Sequence, residues 1–380
     1  MRRFISVVLD RSLLLVAGAA AALVWANVSL ASYERFAHAL HFAVNDVAMV
    51  FFFGLATKEI VEATLPGGAL ASPKAAAVPL LAAAGGMIVP AAFYWASAAA
   101  IGHPELARGW AIPCATDIAF SYLVARMIFP AGHPAIPFLL LLAVADDALG
   151  LVVLAVFYPA GGLSPLWFAA FMAPAIAVAW ALRRWQVRSF MPYLLMAGSC
   201  SWAALYLGGM HPALALVPIV PFLPHEARYH DLFDEEARHA GDTLNRFADW
   251  WRKPVQVILL FFGLVNAGVP LGGAGAATWR GAGALIIGKP AGILGMTAVA
   301  VRAGLTRADG LSYRDVLVVG IAAGIGFTVA LFFATAAFPP GPALEAAKLG
   351  ALLSFAAAPM AIAVARLGGS RGRVLPPVQS

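Results

Sequence analysis

The chain has 380 residues, 62% of them hydrophobic and only 12% charged, with a formal net charge of +6 and a mean hydropathy of +0.84. Ordinary soluble domains are about 45–50% apolar and about 25% charged, so a soluble globular protein is excluded and an all-α integral membrane protein is indicated. The basic excess does not point to nucleic acid, because Lys and Arg are scattered at the ends of apolar runs; Cys114 and Cys200 lie inside such runs and define no disulfide framework.

A helix needs about 20 residues to cross about 30 Å of hydrocarbon. The apolar runs predict twelve spans, near 12–31, 46–63, 75–99, 110–128, 135–157, 164–182, 190–208, 211–224, 254–269, 281–302, 315–337 and 343–366. The first, preceded by Arg2 and Arg3, has the outline of a signal peptide, but no small-residue cleavage site leads into a soluble domain and the next apolar run follows directly. A first transmembrane helix is the expectation. With both termini cytoplasmic, all but five of the 25 Lys and Arg residues fall at cytoplasmic tails, loops or span ends, among them Lys58, Lys74, Arg183, Arg184, Arg188, Arg302, Arg307, Arg371 and Arg373. The exceptions are Arg35, Arg108, Arg280, Lys348 and, in mid-span, Lys289. That asymmetry fits the positive-inside rule and supports the even span count and the orientation of a multi-pass membrane protein.

The fourth span, Trp110-Ala-Ile-Pro-Cys-Ala-Thr-Asp-Ile-Ala-Phe120, carries Pro113 four residues before Asp117, beside Thr116. Pro removes a helix donor, and Thr and Asp disfavour a helix interior, so the helix is expected to unwind there. In the fifth span, Asp146 and Asp147 stand side by side in an otherwise uncharged run from Ala135 to Tyr158. A charge at that depth costs roughly 2.5–3.5 kcal/mol on insertion scales. A pair is expected only where a cavity, partner or ion compensates it, which points to a transport site.

The connection 225–253 mixes charges of both signs with Phe233, Leu244, Phe247 and Trp250 at loosely helical spacing. It reads as a cytoplasmic linker, partly helical, either a plain solvated segment or a surface responsive to cytoplasmic pH or ions. In the tenth span Lys289 is centred; in the eleventh, Gly320, Gly324 and Gly326 lie at a depth similar to Thr116-Asp117. Glycines alone can mean close helix packing. Two broken spans in corresponding positions of the two halves are the sequence pointer to a midplane binding site, where half-helix ends of opposite partial charge meet. Asp117 would offset the positive ends and Lys289 the negative ones.

The runs Gly109-Trp-Ala-Ile-Pro-Cys-Ala-Thr-Asp-Ile-Ala-Phe120, Ala145-Asp-Asp-Ala-Leu-Gly150, Asn266-Ala-Gly-Val269, Gly288-Lys-Pro290 and Gly324-Ile-Gly-Phe-Thr328 together resemble the NhaA sodium/proton antiporters, in family order across nearly the whole chain. That family is itself a standard example of inverted repeats and broken helices among secondary transporters. The resemblance implies one transporter domain over 1–380 with an NhaA-like fold of about twelve helices, inverted repeats and two broken, crossing helices. Its transport core would come from about 75–157 and 281–366, the other spans forming a scaffold and interface panel. It also implies that Asp147 is the essential ion-binding carboxylate, that Asp146 binds ion or pairs with Lys289, that Thr116 and Asp117 supply polarity and charge compensation at the crossing, and that Gly324 and Gly326 mark the second break. Na⁺ would be held at Asp147 and Asp146, as cargo and not as a cofactor; no resident cofactor is expected.

Adjacent helical residues point about 100° apart, so one carboxylate can face the ion while the other faces Lys289. Burial favours the neutral form of a carboxylate and a nearby cation the charged form, so protons and cation compete for the same oxygens, and the pair titrates as a unit. The expected activity is secondary active exchange of Na⁺ or Li⁺ for H⁺, electrogenic at about two protons inward per cation expelled, serving pH and sodium homeostasis. A proton- or sodium-coupled symporter of an organic solute on a related fold is the alternative. An enzyme is not expected, since the mid-membrane residues form no nucleophile–base pair and no H-E-x-x-H motif.

Departures from the family pattern limit the carry-over. Ala56 follows Gly54-Leu55 where an acidic residue is usual, although Lys58, Glu59 and Glu62 keep charge nearby, so the pH response of the family is not carried over to this chain. The external loop Ser32–Asn45 is too short for the β-hairpin that joins protomers in some members, leaving a homodimer open only by other routes. His211, in Gly-Met-His-Pro, is either a residue that titrates in the useful range or a structural histidine at a span start. Asn45 and Asp46 match a family pair or merely cap a helix.

Overall fold

A computed structural model describes residues 13–68, 70–100, 102, 104–225 and 242–367. Arg2, Arg3, Phe233, Arg371 and Arg373, and with them both termini and most of the expected linker, lie outside the described residues. The described chain is helical with no strand. In order the helices are α1 (Leu13–Val28), α2 (Leu30–Thr64), α3 (Pro73–Ala100), the 3-10-wound α4 (Pro104–Cys114), α5 (Ile118–Ile128), α6 (Ala135–Phe157), α7 (Pro165–Arg184) and α8 (193–208). There follow α9 (Thr243–Asn266), α10 (Ala276–Arg302), α11 (Tyr313–Ala323), α12 (Phe327–Ala337) and α13 (Pro342–Leu367).

By length and apolarity, six of the described helices can cross a membrane, or up to eight if each bent pair is one span. The twelve runs read from hydropathy therefore exceed the helices that qualify on their own. The run 211–224 is not a helix but a string of short turns, Pro212–Leu214 and Val220–Phe222. Pro212, Pro218 and Pro221 each remove a backbone donor, which stops a regular helix from propagating. The expected external loop 32–45 is helical too, part of the 35-residue α2, which passes through a π-wound stretch at Ala43–Ala48. Asn45 and Asp46 thus sit inside a continuous helix and cap nothing. The end of the expected linker is likewise helix. Asp242 caps α9, its carboxylate accepting from the Asn245 N–H at 2.8 Å, and α9 continues into the ninth run.

The chain divides into two compact units, one of residues 1–71 and 148–270 and the other of 72–147 and 271–380. In the first, α1 and α9 approach at backbone distance: a Cβ on Gly263 would lie 2.6 Å from the Leu15 carbonyl oxygen. Small residues at helix interfaces permit such packing where lipid offers no hydrophobic drive between helices. Tyr33 locks α2 onto the end of α9 by donating to the Val265 carbonyl at 2.8 Å and accepting from the Gly268 N–H at 2.9 Å. Outward-facing apolar side chains such as Leu166, Trp180 and Leu195 stay exposed, as a lipid-facing surface requires.

In the second unit, α3 packs along α10, and a Cβ on Gly85 would lie 3.1 Å from the Gly292 carbonyl carbon. The core there is built from Ala82, Ala83, Leu139, Leu142, Ile293, Val316 and Val319, all nearly or fully sealed. These helices deliver the polar residues described next.

Candidate functional site: a crossing of two broken helices

The site is built by what the broken helices leave unpaired. After Pro113 the 3-10 turns of α4 end at Cys114, and residues 115–117 are non-helical, with Asp117 extended (φ −94°, ψ 101°) at the N-cap position of α5. The two pieces meet at a bend of 49°. On the partner element, α11 ends at Ala323, and α12 starts after Gly326, with a bend of 52°. A helix end leaves carbonyls or N–H groups without intrahelical partners, and each break here satisfies the other. The Asp117 N–H donates to the Ile325 carbonyl at 2.7 Å. The Thr116 hydroxyl reaches the Ala323 carbonyl at 3.2 Å and the Ser121 hydroxyl the Ala322 carbonyl at 2.8 Å. In return the Asp117 carboxylate accepts from the Thr328 hydroxyl, in a short hydrogen bond, and from the Thr328 N–H at 3.4 Å.

Glycine is required at this crossing. A Cβ on Gly324 would come within 2.6 Å of the Leu285 carbonyl oxygen, and one on Gly326 would run into the Ala115 carbonyl. Bare backbone lets the second break pass α10 at Gly324 and the first break at Gly326.

Beside the crossing, α6 and α10 contribute opposite charges. The Lys289 ammonium lies 2.7 Å from Asp146 Oδ2 and donates to the Cys114 carbonyl at 2.6 Å, at the open C-terminal end of α4. Both side chains of the ion pair are sealed, at 0% and 1% exposure. Asp146 Oδ2 also accepts from the Thr116 hydroxyl at 2.5 Å, which ties the carboxylate to the break. Its other oxygen, Oδ1, is buried and has no hydrogen-bond partner among the described residues. Asp147, the next residue on α6, is half-buried where Asp146 is buried. Adjacent residues on a helix turn by about 100°, and the different burial of the two carboxylates follows from that turn.

One cluster therefore gathers Thr116, Asp117, Asp146, Lys289 and the Gly324–Gly326 break. Cys114, Ser121 and Thr328 belong to it as well. Sequence reasoning does not reach their roles, although Thr328 closes the Gly324-Ile-Gly-Phe-Thr run. A capping residue after a glycine break is the available signal. Chemically, the cluster offers a cation paired to a carboxylate, an unsatisfied carboxylate oxygen and a second carboxylate one residue away. Such a set can hold a small hard cation on oxygen or a proton in its place.

His211 is elsewhere, in the first unit, opening the turn Pro212–Leu214 with its Nδ1 3.8 Å from Asp46 Oδ1. Nearby, the amides of Asn45 and Asn266 exchange two hydrogen bonds, at 3.0 and 2.8 Å, and Asn45 Nδ2 lies 2.9 Å from His41 Nε2. On α2, Lys58 pairs with Glu62 at 2.6 Å, both buried, and with Glu59 at 3.5 Å. Charge does persist one turn beyond Ala56, but as a closed ion pair.

Comparison with known proteins bears on all of this. The family model described as Na⁺/H⁺ antiporter 1 matches residues 2–365. The chain is 45% identical over 377 residues to the Na⁺/H⁺ antiporter NhaA of Geobacter metallireducens, covering 97% of this chain and 98% of that protein. It is 43% identical over 402 residues to the NhaA of a Jannaschia species, covering 94% and 96%. Among solved structures, it resembles the sodium proton antiporter MjNhaP1 of Methanocaldococcus jannaschii with a TM-score of 0.58, at 14% identity, covering 94% of this chain and 92% of that one. The last likeness concerns the fold alone.

Proposed function

The chain belongs to the Na⁺/H⁺ antiporter 1 family and is a Na⁺/H⁺ antiporter, and on that premise we propose that its exchange runs through Asp147 and Asp146 at the crossing of α4–α5 with α11–α12. The observation that supports this reading most is the orphaned Asp146 Oδ1 in a carboxylate whose other oxygen is already held by Lys289 and Thr116. A buried acceptor without a partner costs roughly 1–3 kcal/mol; a Na⁺ ion coordinated there satisfies it, and a proton there removes the charge that would hold the ion.

In this reading Asp147 is the main ligand of Na⁺ or Li⁺ and Asp146 Oδ1 contributes a further oxygen. Protonation of the pair expels the cation on one side of the membrane, and loss of the protons permits rebinding on the other. Lys289 holds Asp146 while the site is without cation and balances the carbonyl end of α4; Asp117 balances the amide end of α12. The transport core comprises residues of about 75–157 and 281–366, with the remaining helices as scaffold. Both termini face the cytoplasm, and two protons enter for each cation expelled, so the exchange responds to membrane potential. His211, beside Asp46 in the first unit, is the candidate residue for a pH response.

Everted membrane vesicles carrying a ΔpH-sensitive dye test the assignment. Na⁺ and Li⁺ dequench the dye and K⁺ does not, and Asp147→Asn removes the response. Dequenching undiminished in Asp147→Asn would exclude the site. In proteoliposomes, exchange whose rate ignores a potassium–valinomycin potential would exclude the two-proton stoichiometry.

A further inference from the structure

The second unit encloses another cation, away from the ion site. Arg280 stands in the second turn of α10, only 4% exposed. Its Nε, Nη1 and Nη2 are all buried without a hydrogen-bond partner among the described residues. The Tyr94 hydroxyl of α3, fully buried, also has no hydrogen-bond partner among the described residues, and the start of α10 packs against this part of α3, a Cβ on Gly283 lying 3.5 Å from the Phe93 ring. The tip of Tyr94 lies 2.6 Å from where a Cβ on Gly109 would stand, so glycine there leaves the hydroxyl its room. The nearby helix α13 offers Glu345, but its carboxylate Oε2 lies toward the turn at 271–273, 3.3 Å from a Cβ on Gly273. Thr278, two residues earlier on α10, is already committed to the Ala346 carbonyl at 2.8 Å.

Two features make this arrangement unfavourable unless something negative joins it. A guanidinium carries five N–H donors and a fixed charge, and a buried charge without a partner is strongly destabilising. Water could fill the donors but would not offset the charge.

We propose that Arg280 and Tyr94 form a binding site for a small monovalent anion of the chloride class. The guanidinium supplies charge and in-plane donors, and the tyrosine O–H supplies one more. Arg280 precedes Lys289 by nine residues on the same helix, about 13 Å at the helical rise, so the site is distinct from the ion-exchange cluster and does not rest on its assignment.

Thermal unfolding of the purified full chain in detergent, in choline chloride against choline gluconate, isolates the anion with the cation fixed and sodium absent. Chloride raises the melting temperature saturably and gluconate does not. Tyr94→Phe moves the chloride midpoint upward about tenfold, as loss of one hydrogen bond to a charged group implies. Arg280→Met removes the response, and the fold is expected to persist because an unpaired buried charge gives way to an apolar side chain of similar volume. Arg280→Gln, which keeps donors but loses the charge, removes it as well and stands in should the methionine variant not fold. Equal melting in the two salts, or a chloride response undiminished in either arginine variant, overturns the site.

Discussion

Lys289 Nζ and Asp146 Oδ2 lie 2.7 Å apart with both side chains sealed from solvent, and the same ammonium takes the Cys114 carbonyl at 2.6 Å. One lysine thus joins the carboxylate of α6 to the broken end of α4. Removing one partner of such a pair strands the other. Lys289→Met is therefore expected to destabilise the protein by roughly 3–5 kcal/mol, read as a lowered melting temperature of the purified protein. The double variant Lys289→Met, Asp146→Leu should recover most of that loss, because neither charge is left buried alone. A double variant no more stable than the single one would mean that the cost arises from packing.

Asp147 is expected to behave differently. It is half-buried, so Asp147→Asn should leave the melting temperature close to that of the native chain while antiport falls to background. Sodium binding measured by calorimetry should fall in parallel. Loss of stability comparable to that of Lys289→Met would assign Asp147 a structural role.

The crossing depends on Thr328 as the donor to Asp117. Thr328→Val keeps the shape and removes the hydroxyl, leaving one oxygen of a buried carboxylate less satisfied; about 1–3 kcal/mol of stability should be lost. Thr328→Ser keeps the donor and should retain most of the stability. Equal losses for the two substitutions would implicate the methyl group in place of the hydrogen bond.

Competition between protons and Na⁺ for one set of oxygens has a definite sign. As pH falls, more of the carboxylate pair is protonated, so the apparent KM for Na⁺ should rise, by about tenfold per pH unit for each competing proton in the titrating range. The maximal rate should be recovered at saturating Na⁺. A maximal rate that falls with pH while KM stays constant would place proton control outside the ion site.

The polar residues of the site are legible in the sequence because membrane depth makes them expensive: Asp146, Asp147, Asp117 and Lys289 are the charges that apolar runs do not explain. The breaks are legible for a related reason, since Pro113 and the Gly324–Gly326 pair interrupt helical propagation in local sequence. The long helix through 30–64 is not, because its first turns, Leu-Ala-Ser-Tyr-Glu-Arg, are too polar to register as a span. What holds them is tertiary: Tyr33 bonds to Val265 and Gly268, far along the chain. Hydropathy errs in the other direction at 211–224, where apolar composition is real but three prolines deny the helix its donors. The partners Ser121 and Thr328 escape notice because their role depends on which carbonyls and carboxylates the opposite break presents, and no local pattern states that.

Gly324 tests how closely the second break passes α10, on which the geometry of the crossing depends. A Cβ there would lie 2.6 Å from the Leu285 carbonyl oxygen and 3.0 Å from the Ile321 carbonyl oxygen, and backbone oxygens cannot rotate aside as a flexible side chain can. The φ of Gly324 is −66°, which any residue adopts, so the obstacle is steric and not conformational. Gly324→Ala must therefore push α11 away from α10, at a cost of about 1–3 kcal/mol. The shift displaces the Ala322 and Ala323 carbonyls from Ser121 and Thr116, and with Thr116 the support of Asp146. Gly295→Ala on α10 meets nothing within 4 Å and serves as the control. Gly324→Ala should lower both melting temperature and antiport rate while Gly295→Ala changes neither; an active, fully stable Gly324→Ala would show that the second break does not pass α10 at backbone contact.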